Sequence, residues 1–241
     1  MRSATRMKNP QAKALQASNK AEQRLACHAL SKHIQLIELK EWLLMGGFAV
    51  GGALLRVPMQ AIPSAEPITF FAILTGVLLG PWRGIAVGVS SLYLSNFMVM
   101  GGQGPWTLFQ AIGFGAAGLF GGMLRKRPGV LSSMLVAVVA TVVFEIVMNL
   151  SSVFLFPHGL LGIFLTAIPF SMVHILSNTA FAALIPSAVK LTRKTGNLDE
   201  KEIAKVALAR LESKTGKITV VTGPMRGALS KVRSWMERKG H

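Results

Sequence analysis

Residues 130–156 read VLSSMLVAVVATVVFEIVMNLSSVFLF and contain one charged side chain, Glu145. A helix needs about 20 consecutive apolar residues to cross roughly 30 Å of bilayer hydrocarbon, and this run exceeds that length. A soluble helix would also carry a continuous polar face, which this run lacks. The stretch therefore predicts a membrane-spanning helix.

The same lack of charge extends over a much longer part of the chain. Residues 41–189 contain eight charged side chains, whereas the other 28 Lys, Arg, Asp and Glu residues lie in residues 1–40 and 190–241. We therefore predict an all-α integral membrane protein. It has a basic amphipathic N-terminal segment over residues 1–40, a membrane domain over residues 41–189 and a basic cytoplasmic tail over residues 190–241.

Six apolar runs divide the membrane domain, and each predicts one transmembrane helix. The first three are shorter than a full crossing requires, so we expect a tilted or broken segment among them. The six predicted spans are Trp42–Leu55, Ile68–Leu79, Ile85–Met100, Trp106–Leu124, Val130–Phe156 and Leu160–Val189.

Basic residues between these spans predict the orientation. The N-terminal segment, Arg83 in the turn 80–84, the turn Arg125–Arg127 and the tail fall on one side of the membrane. Lys and Arg accumulate in cytoplasmic loops, so both termini are predicted to be cytoplasmic. The loops predicted to lie outside are residues 56–66, 101–105 and 157–159, and Arg56 is their only Lys or Arg.

The net charge of +16 could indicate nucleic-acid binding, because Lys and Arg supply most non-specific affinity for phosphate. Here the basic segments flank apolar spans, where they favour cytoplasmic retention and attract anionic lipid. We therefore expect anionic lipid at the basic segments and no nucleic-acid partner. Amphipathic helices are predicted over residues 15–40, with Ala26, Leu30, Ile34 and Ile37 near one face, and over residues 198–214 and 229–238.

Polar residues within or beside the spans are the candidates for substrate binding. Glu145 and Asn149 lie one helical turn apart on one predicted face, and His174 and Asn178 repeat that spacing. A polar group in hydrocarbon needs a partner. Glu145 could therefore form a hydrogen bond with His174, or it could bind a ligand or a proton, and the sequence leaves both roles open. The full candidate set is Glu66, Asn96, Gln103, Trp106, Gln110, Glu145, Asn149 and His174.

The loop GGQGPW at residues 101–106 is the second outer feature. Its glycine and proline residues discourage regular structure, while Trp106 offers an aromatic face and Gln103 and Gln110 offer amides. These groups suit a lid over a small, partly aromatic ligand. A tight turn with an interfacial tryptophan is the alternative.

Small residues recur at helical spacing and predict close helix packing, because backbones in lipid approach most closely over such residues. The first span carries them on much of its circumference, which predicts a second contact surface for another protein. The pairs in the first span are Gly47 and Gly51, and Ala49 and Ala53; the later pairs are Gly76 and Gly80, Gly84 and Gly88, and Gly118 and Gly122.

Motifs of the common hydrolases are missing from the sequence. It has no HExxH, no GxSxG and no complete P-loop, and Cys27 is its only cysteine. We therefore expect no catalytic residues, no metal site and no cofactor, and any ATP hydrolysis is expected in partner subunits.

These features together resemble the substrate-binding S component of an energy-coupling factor (ECF) transporter, over residues 43–189. The resemblance rests on six spans with cytoplasmic termini and on the motif Ala49-x-x-x-Ala53. It also rests on the stretch PSAEP at residues 63–67, which leads into Phe70-Phe71 and Gly76, and on GPWT at residues 104–107, which precedes Gln110.

The resemblance implies a vitamin-binding subunit of a prokaryotic plasma membrane, which takes up its ligand with a transmembrane T component and two ABC ATPases. It implies that Ala49 and Ala53 contact the T component, and that ligand lies beneath the loops 56–66 and 101–105. Family members for cobalt and nickel use an N-terminal Met-His segment, whereas this chain begins Met1-Arg2. A cobalamin, thiamine-type or other heterocyclic vitamin is therefore expected instead of a metal.

Two other functions are open on the residues alone. A stand-alone secondary transporter could use Glu145 to couple proton flow to uptake, although such carriers usually contain more acids within their spans. A membrane adaptor could recruit lipid or protein through the basic segments, but it would not need the polar residues of the last two spans.

Overall fold

The computed structural model describes residues 10–124, 128–155, 159–196 and 203–209, and all regular structure among them is α-helical. The all-α prediction is therefore confirmed for these residues. The helices are α1 Pro10–Met59, α2 Ile68–Leu79, α3 Pro81–Ser95, α4 Trp106–Met123, α5 Val130–Leu155, α6 Leu160–Ala182, α7 Ile185–Gly196 and α8, residues 203–209.

Within the described residues, three helices are long and apolar enough to cross a membrane: Ser18–Met59 within α1, Val130–Leu155 and Leu161–Ala182. Helix α2 is a shorter apolar helix. The membrane character predicted from the sequence therefore has support in helix length and composition. The count of six spans and the cytoplasmic termini stay predictions.

Helix α1 is longer than predicted. It joins the expected surface helix, residues 15–40, to the expected first span in 50 uninterrupted residues, and it ends one residue after Pro58. Arg56 consequently lies on a helix, and the prediction that it belongs to a loop from residue 56 to residue 66 is wrong. The connection to α2 begins at Gln60, because a proline ring disfavours continuation of a helix.

Two other boundaries also differ from the prediction. Gly80 alone separates α2 from α3, with a φ of 102° that favours glycine, so the expected turn 80–84 and third span 85–100 are both displaced. The predicted last span, 160–189, is divided at Ala183 and Leu184 into α6 and α7. Pro186 explains this division, since it suits the first turn of α7 but not a helix interior.

The chain forms two compact units, one of which comprises Glu41–Gly196. The other combines residues up to Lys40 with residues from Asn197 onward. In that second unit, Cys27 and Ile34 of α1 are buried with Ala204 and Leu208 of α8, and Leu30 packs against them. The predicted helix 198–214 is thus confirmed over residues 203–209.

The apolar faces of these two helices differ partly from the predicted ones. Ile34 and Ile37 are buried as expected, but Ala26 is exposed and its neighbour Cys27 takes the buried position. In α8, Ala204 and Leu208 are buried, whereas Ile203 is 70% exposed. The basic turn Arg125–Arg127, Pro157, and the predicted helix 229–238 lie outside the described residues.

Glycines bring α2, α3 and α4 into backbone contact, as their spacing predicts. Gly76 of α2 and Gly84 of α3 both lie against Gly118 of α4, and Gly88 lies against the Phe114 carbonyl. Helix α4 also packs on α5, and α5 on α6. Arg83 of α3, expected in a turn, pairs with the buried Glu41 of α1 at 2.9 Å between Nη2 and Oε2.

Substituting Gly84 with alanine tests this backbone packing. An added Cβ would lie 2.6 Å from the Gly118 carbonyl oxygen, so the helices must separate, and overpacking of this kind costs about 1–3 kcal/mol. We expect a lower thermal midpoint for detergent-solubilised Gly84→Ala. Gly47→Ala is the control, since nothing lies within 4 Å of a Cβ there. Equal midpoints for the two variants would contradict the close packing.

Candidate functional site

A cavity of about 330 Å³ lies in the unit Glu41–Gly196. It is lined by the last turn of α1, the connection between α1 and α2, Met100, and side chains of α4, α5 and α6. The lining residues are Arg56, Gln60, Ile62, Pro63, Ser64, Ala65, Glu66, Met100, Gln110, Phe114, Phe144, Glu145 and His174.

Glu66 is buried at the start of α2 and caps that helix. Its Oε2 accepts a hydrogen bond from the Ile68 amide at 2.6 Å, and its Oε1 accepts one from the Thr69 hydroxyl at 2.5 Å. The Thr69 amide also points to both carboxylate oxygens at 3.3 Å. A carboxylate at this position satisfies free amides and complements the helix dipole, so Glu66 is held firmly in place.

His174 of α6 lies between two carboxylates. Its Nδ1 is 2.6 Å from Oε1 of Glu145 on α5, and its Nε2 is 3.4 Å from Oε1 of Glu66. The Ser171 hydroxyl donates to the other Glu145 oxygen at 2.5 Å. Both ring nitrogens can donate only when the imidazole is protonated, so this geometry suits an imidazolium between two anions.

The surroundings of Glu66 favour its ionised form. Burial raises the pKa of its carboxyl, but the hydrogen bond and charge of His174, the Thr69 hydroxyl and the Arg56 charge outweigh this effect. The pKa of Glu66 is therefore held below its usual value of 4.5. Ionised Glu66 thus contributes to stability at neutral pH, and the contribution declines as the pH falls below 4.5.

Arg56 brings a second charged group to the cavity. Its Nη1 donates to the Ser95 hydroxyl and to Oδ1 of Asn96, both at 2.8 Å. Asn96 in turn directs its Nδ2 at Thr107 and Gln110 of α4, each at 3.4 Å. A network of polar side chains therefore fixes the guanidinium at the end of α1.

Aromatic rings complete the cavity wall. The centroids of Phe114 and Phe144 are 4.7 Å apart, and Phe144 meets the ring of His174 edge to face at 5.1 Å. Phe144 also covers Gly113, where an added Cβ would clash with the ring. The site therefore combines a charged rim with an apolar wall.

The structure brings together half of the predicted binding residues. Glu66, Gln110, Glu145 and His174 line the cavity, and Asn96 contacts it through Arg56. Of the two roles left open for Glu145, the hydrogen bond to His174 is present in the structure, and the role in ligand or proton binding stays a prediction.

Gln103, Trp106 and Asn149 are absent from the cavity lining. Gln103 is exposed and donates to the Tyr93 carbonyl at 2.9 Å, while the Trp106 ring packs over Gly104. Their part in a lid is not supported by this lining. Asn178, paired with His174 by spacing, instead donates to the Thr141 hydroxyl at 2.9 Å.

Sequence reasoning missed Arg56, Gln60, Phe114 and Phe144. Arg56 falls in a loop predicted from the sequence and is not among the predicted binding residues, although it is the only Lys or Arg of the predicted outer side. The two phenylalanines look like ordinary core residues in an apolar run, so the sequence carries no signal that singles them out.

The residues predicted to contact a partner fall on two faces of α1. Ala49 and Ala53 are 6% and 1% exposed, so the chain itself already covers them. A Cβ added at Gly51 would lie 3.8 Å from the Phe71 ring, whereas a Cβ added at Gly47 would have no neighbour within 4 Å. The exposed face at this level consists of Gly47 with Leu43, Val50 and Leu54.

Among the described residues, no group of three or more His, Cys, Asp and Glu side chains is arranged to hold a metal ion. Glu66, His174 and Glu145 form a chain of hydrogen bonds, in which each histidine nitrogen faces a carboxylate.

These features define a helical protein that has helices long and apolar enough to cross a membrane and a buried ionic site next to a cavity. The chain belongs to DUF6580, a family of unknown function, which matches residues 37–199. That range includes all the side chains that line the cavity. No curated protein and no solved structure matches the chain.

The ionised carboxylate of Glu66 should make the thermal stability of the chain depend on pH. At neutral pH, Glu66→Gln should lower the thermal midpoint relative to the native chain, because the amide cannot replace the ionised acceptor of His174 and the α2 amides. The difference should shrink as the pH falls below 4.5, because the unfolded carboxyl takes up its proton there while the native carboxyl, whose pKa is lowered, stays ionised. A difference that stays constant from about pH 7 to about pH 3 would show that the charge of Glu66 does not matter.

Proposed function

We propose that this chain is a membrane-embedded binding subunit that captures a small organic molecule in the cavity for uptake. The single observation that carries the proposal is the ionic cluster of Arg56, Glu66, Glu145 and His174 on the wall of a 330 Å³ cavity, in which Glu66 and His174 are buried and the other two are partly buried. Pockets for small molecules begin at about 300 Å³ and combine apolar walls with a few placed polar groups.

A purely structural role explains this cluster less well. Burying ions in an apolar protein is costly, and replacing a buried ion pair by apolar residues is often neutral or stabilising. Ionisable residues within apolar helices are accordingly rare and tend to line functional paths. Glu145 is also partly accessible, with 18% of its side chain exposed, so a ligand can reach it.

The proposed topology is the one predicted from the sequence, with six crossings and both termini in the cytoplasm. The cavity residues Arg56 and Glu66 then lie toward the outer face, where a binding subunit must capture its ligand. The basic segments lie at the inner face, where they attract anionic lipid.

The proposed partners follow from the resemblance to ECF S components. A T component and two ABC ATPases would supply energy, and a heterocyclic vitamin would be the ligand. The exposed face of α1 around Gly47 supports such an association, because a helix in lipid packs most closely over small residues.

A second candidate is a proton-coupled carrier that needs no ATPase. The observation that favours it is the chain of hydrogen bonds from Glu145 through His174 to Glu66, since linked ionisable groups within apolar helices also form proton relays. The two candidates share the binding cavity and differ in their energy source.

Mass spectrometry of molecules extracted from the purified full chain tests the shared step. We expect one small molecule to co-purify with the native chain and to fall at least about tenfold with Glu145→Gln, because removing one charged hydrogen bond costs about 1.4 kcal/mol or more. Ser152→Ala, on the same helix, is the control, since its hydroxyl bonds the Met148 carbonyl of α5 itself. Equal amounts of the molecule from both variants would show that it binds away from Glu145. The absence of any co-purified molecule from the native chain would contradict the proposal.

A bulky residue on the exposed face of α1 separates the two energy sources. In cells, Gly47→Leu should abolish uptake of the extracted molecule and leave its binding to the purified chain unchanged, because only the partner surface is blocked. Ala53→Leu is the comparison; Ala53 is buried within the chain, so both binding and uptake should fall. Normal uptake by Gly47→Leu, driven by a pH gradient, would favour the proton-coupled carrier.

A further inference from the structure

We infer that the cavity takes an amphoteric small molecule, with a carboxylate at the Arg56 end, an N–H-bearing cationic nitrogen at the Glu145 end and a flat apolar part between them. This inference rests on the proposed function and names the chemical class of its ligand. It follows from the order of charges, the hydrogen-bonding capacity that remains and the net charge of the site.

Positive and negative groups alternate across the cavity wall. Glu66 lies within electrostatic range of Arg56 and 3.4 Å from Nε2 of His174, and Glu145 contacts the opposite nitrogen of that ring. Arg56 and Glu145 are therefore the two ends of the series. A ligand that contacts both ends meets a cation at one and an anion at the other.

Glu145 can accept further hydrogen bonds, whereas Glu66 has little capacity left. Glu66 receives the Ile68 amide, the Thr69 amide and hydroxyl, and His174. Each Glu145 oxygen receives one described donor, and a carboxylate oxygen has two lone pairs. A ligand donor is consequently expected at Glu145.

Arg56 keeps donors for an anion. Its described hydrogen bonds, to Ser95 and Asn96, both come from Nη1. The Nη2 and Nε hydrogens are thus available among the described hydrogen bonds, and the planar guanidinium matches a carboxylate well. Gln110 stands beside this end of the cavity and accepts from Asn96 with its oxygen, which leaves its amide hydrogens for the ligand.

The net charge of the site selects against ligands with a single charge. With His174 protonated, as its two carboxylate neighbours require, Arg56 and His174 balance Glu66 and Glu145. A singly charged ligand would leave one net charge in a poorly solvated place, which is costly. A zwitterion pairs with both ends and keeps the balance, while Phe114 and Phe144 offer an apolar wall for its middle.

Three matched probes test the inference on the detergent-purified full chain by isothermal titration. The probe 4-(aminomethyl)benzoate carries both groups at opposite ends of one ring, 4-methylbenzoate carries only the acid and 4-methylbenzylamine only the amine. We expect the zwitterion to bind at least about tenfold more tightly than either, the ratio that corresponds to about 1.4 kcal/mol for one charged hydrogen bond. Equal or tighter binding of a singly charged probe overturns the inference.

Variants assign the two ends of the cavity. Arg56→Gln should remove the advantage of the zwitterion over 4-methylbenzylamine, and Glu145→Gln should remove its advantage over 4-methylbenzoate. Ser152→Ala should leave both ratios unchanged. If Arg56→Gln does not fold, Arg56→Lys retains the positive charge and should retain most of the preference over 4-methylbenzylamine.

The outcomes separate this inference from the proposed function. A chain that yields a co-purified molecule, yet binds a singly charged probe best or binds no probe, keeps the proposed function and overturns the amphoteric class. A chain that yields no molecule and binds no probe overturns both. A co-purified molecule without an acidic group or without N–H hydrogens also overturns the amphoteric class.

Discussion

The bridge that His174 makes between Glu145 and Glu66 constrains the whole site, because it joins α5, α6 and the start of α2 around one ring. Each charge in it is costly to bury alone, and the neighbouring charges of opposite sign stabilise one another. Glu66 is fixed by the α2 amides, so it serves as the anchor of the bridge. The positions of α5 and α6 at the cavity therefore depend on a carboxylate that caps a different helix.

Close packing of α2, α3 and α4 provides the rigid side of the cavity. Their glycines bring the backbones into contact, which leaves no room for adjustment at Gly76, Gly84 and Gly118. Phe114 projects from this block toward Phe144 of α5, so the apolar wall of the cavity is formed where the block meets the longer helices. The bridge of Glu145, His174 and Glu66 forms the other side of the cavity, between α5, α6 and the start of α2.

The apolar runs predicted several helix bounds, because these helices begin and end where an apolar run does. The bounds of α2 follow directly from its run, and α4 and α5 agree with theirs almost to the residue. The break at Ala183 and Leu184 was missed because both residues are apolar. For the site, i and i+4 spacing singled out Glu145 and His174, but it could not reveal that Glu66, over a hundred residues from His174, shares that ring. Interactions of that kind depend on how helices pack, which periodicity does not encode.

Placement of Arg56 on α1 links ligand binding to partner binding in the proposed function. Arg56 and Gly47 lie nine residues apart on one helix, or about 14 Å along its axis at 1.5 Å per residue. A ligand that joins Arg56 to Glu145 would hold the end of α1 against α5, and an uninterrupted helix transmits such a constraint along its length. The exposed face around Gly47 would then differ in position or mobility between the empty and the occupied cavity. A partner that binds this face could distinguish the two states without touching the ligand, which is what an uptake complex requires to avoid idle cycles of its ATPases.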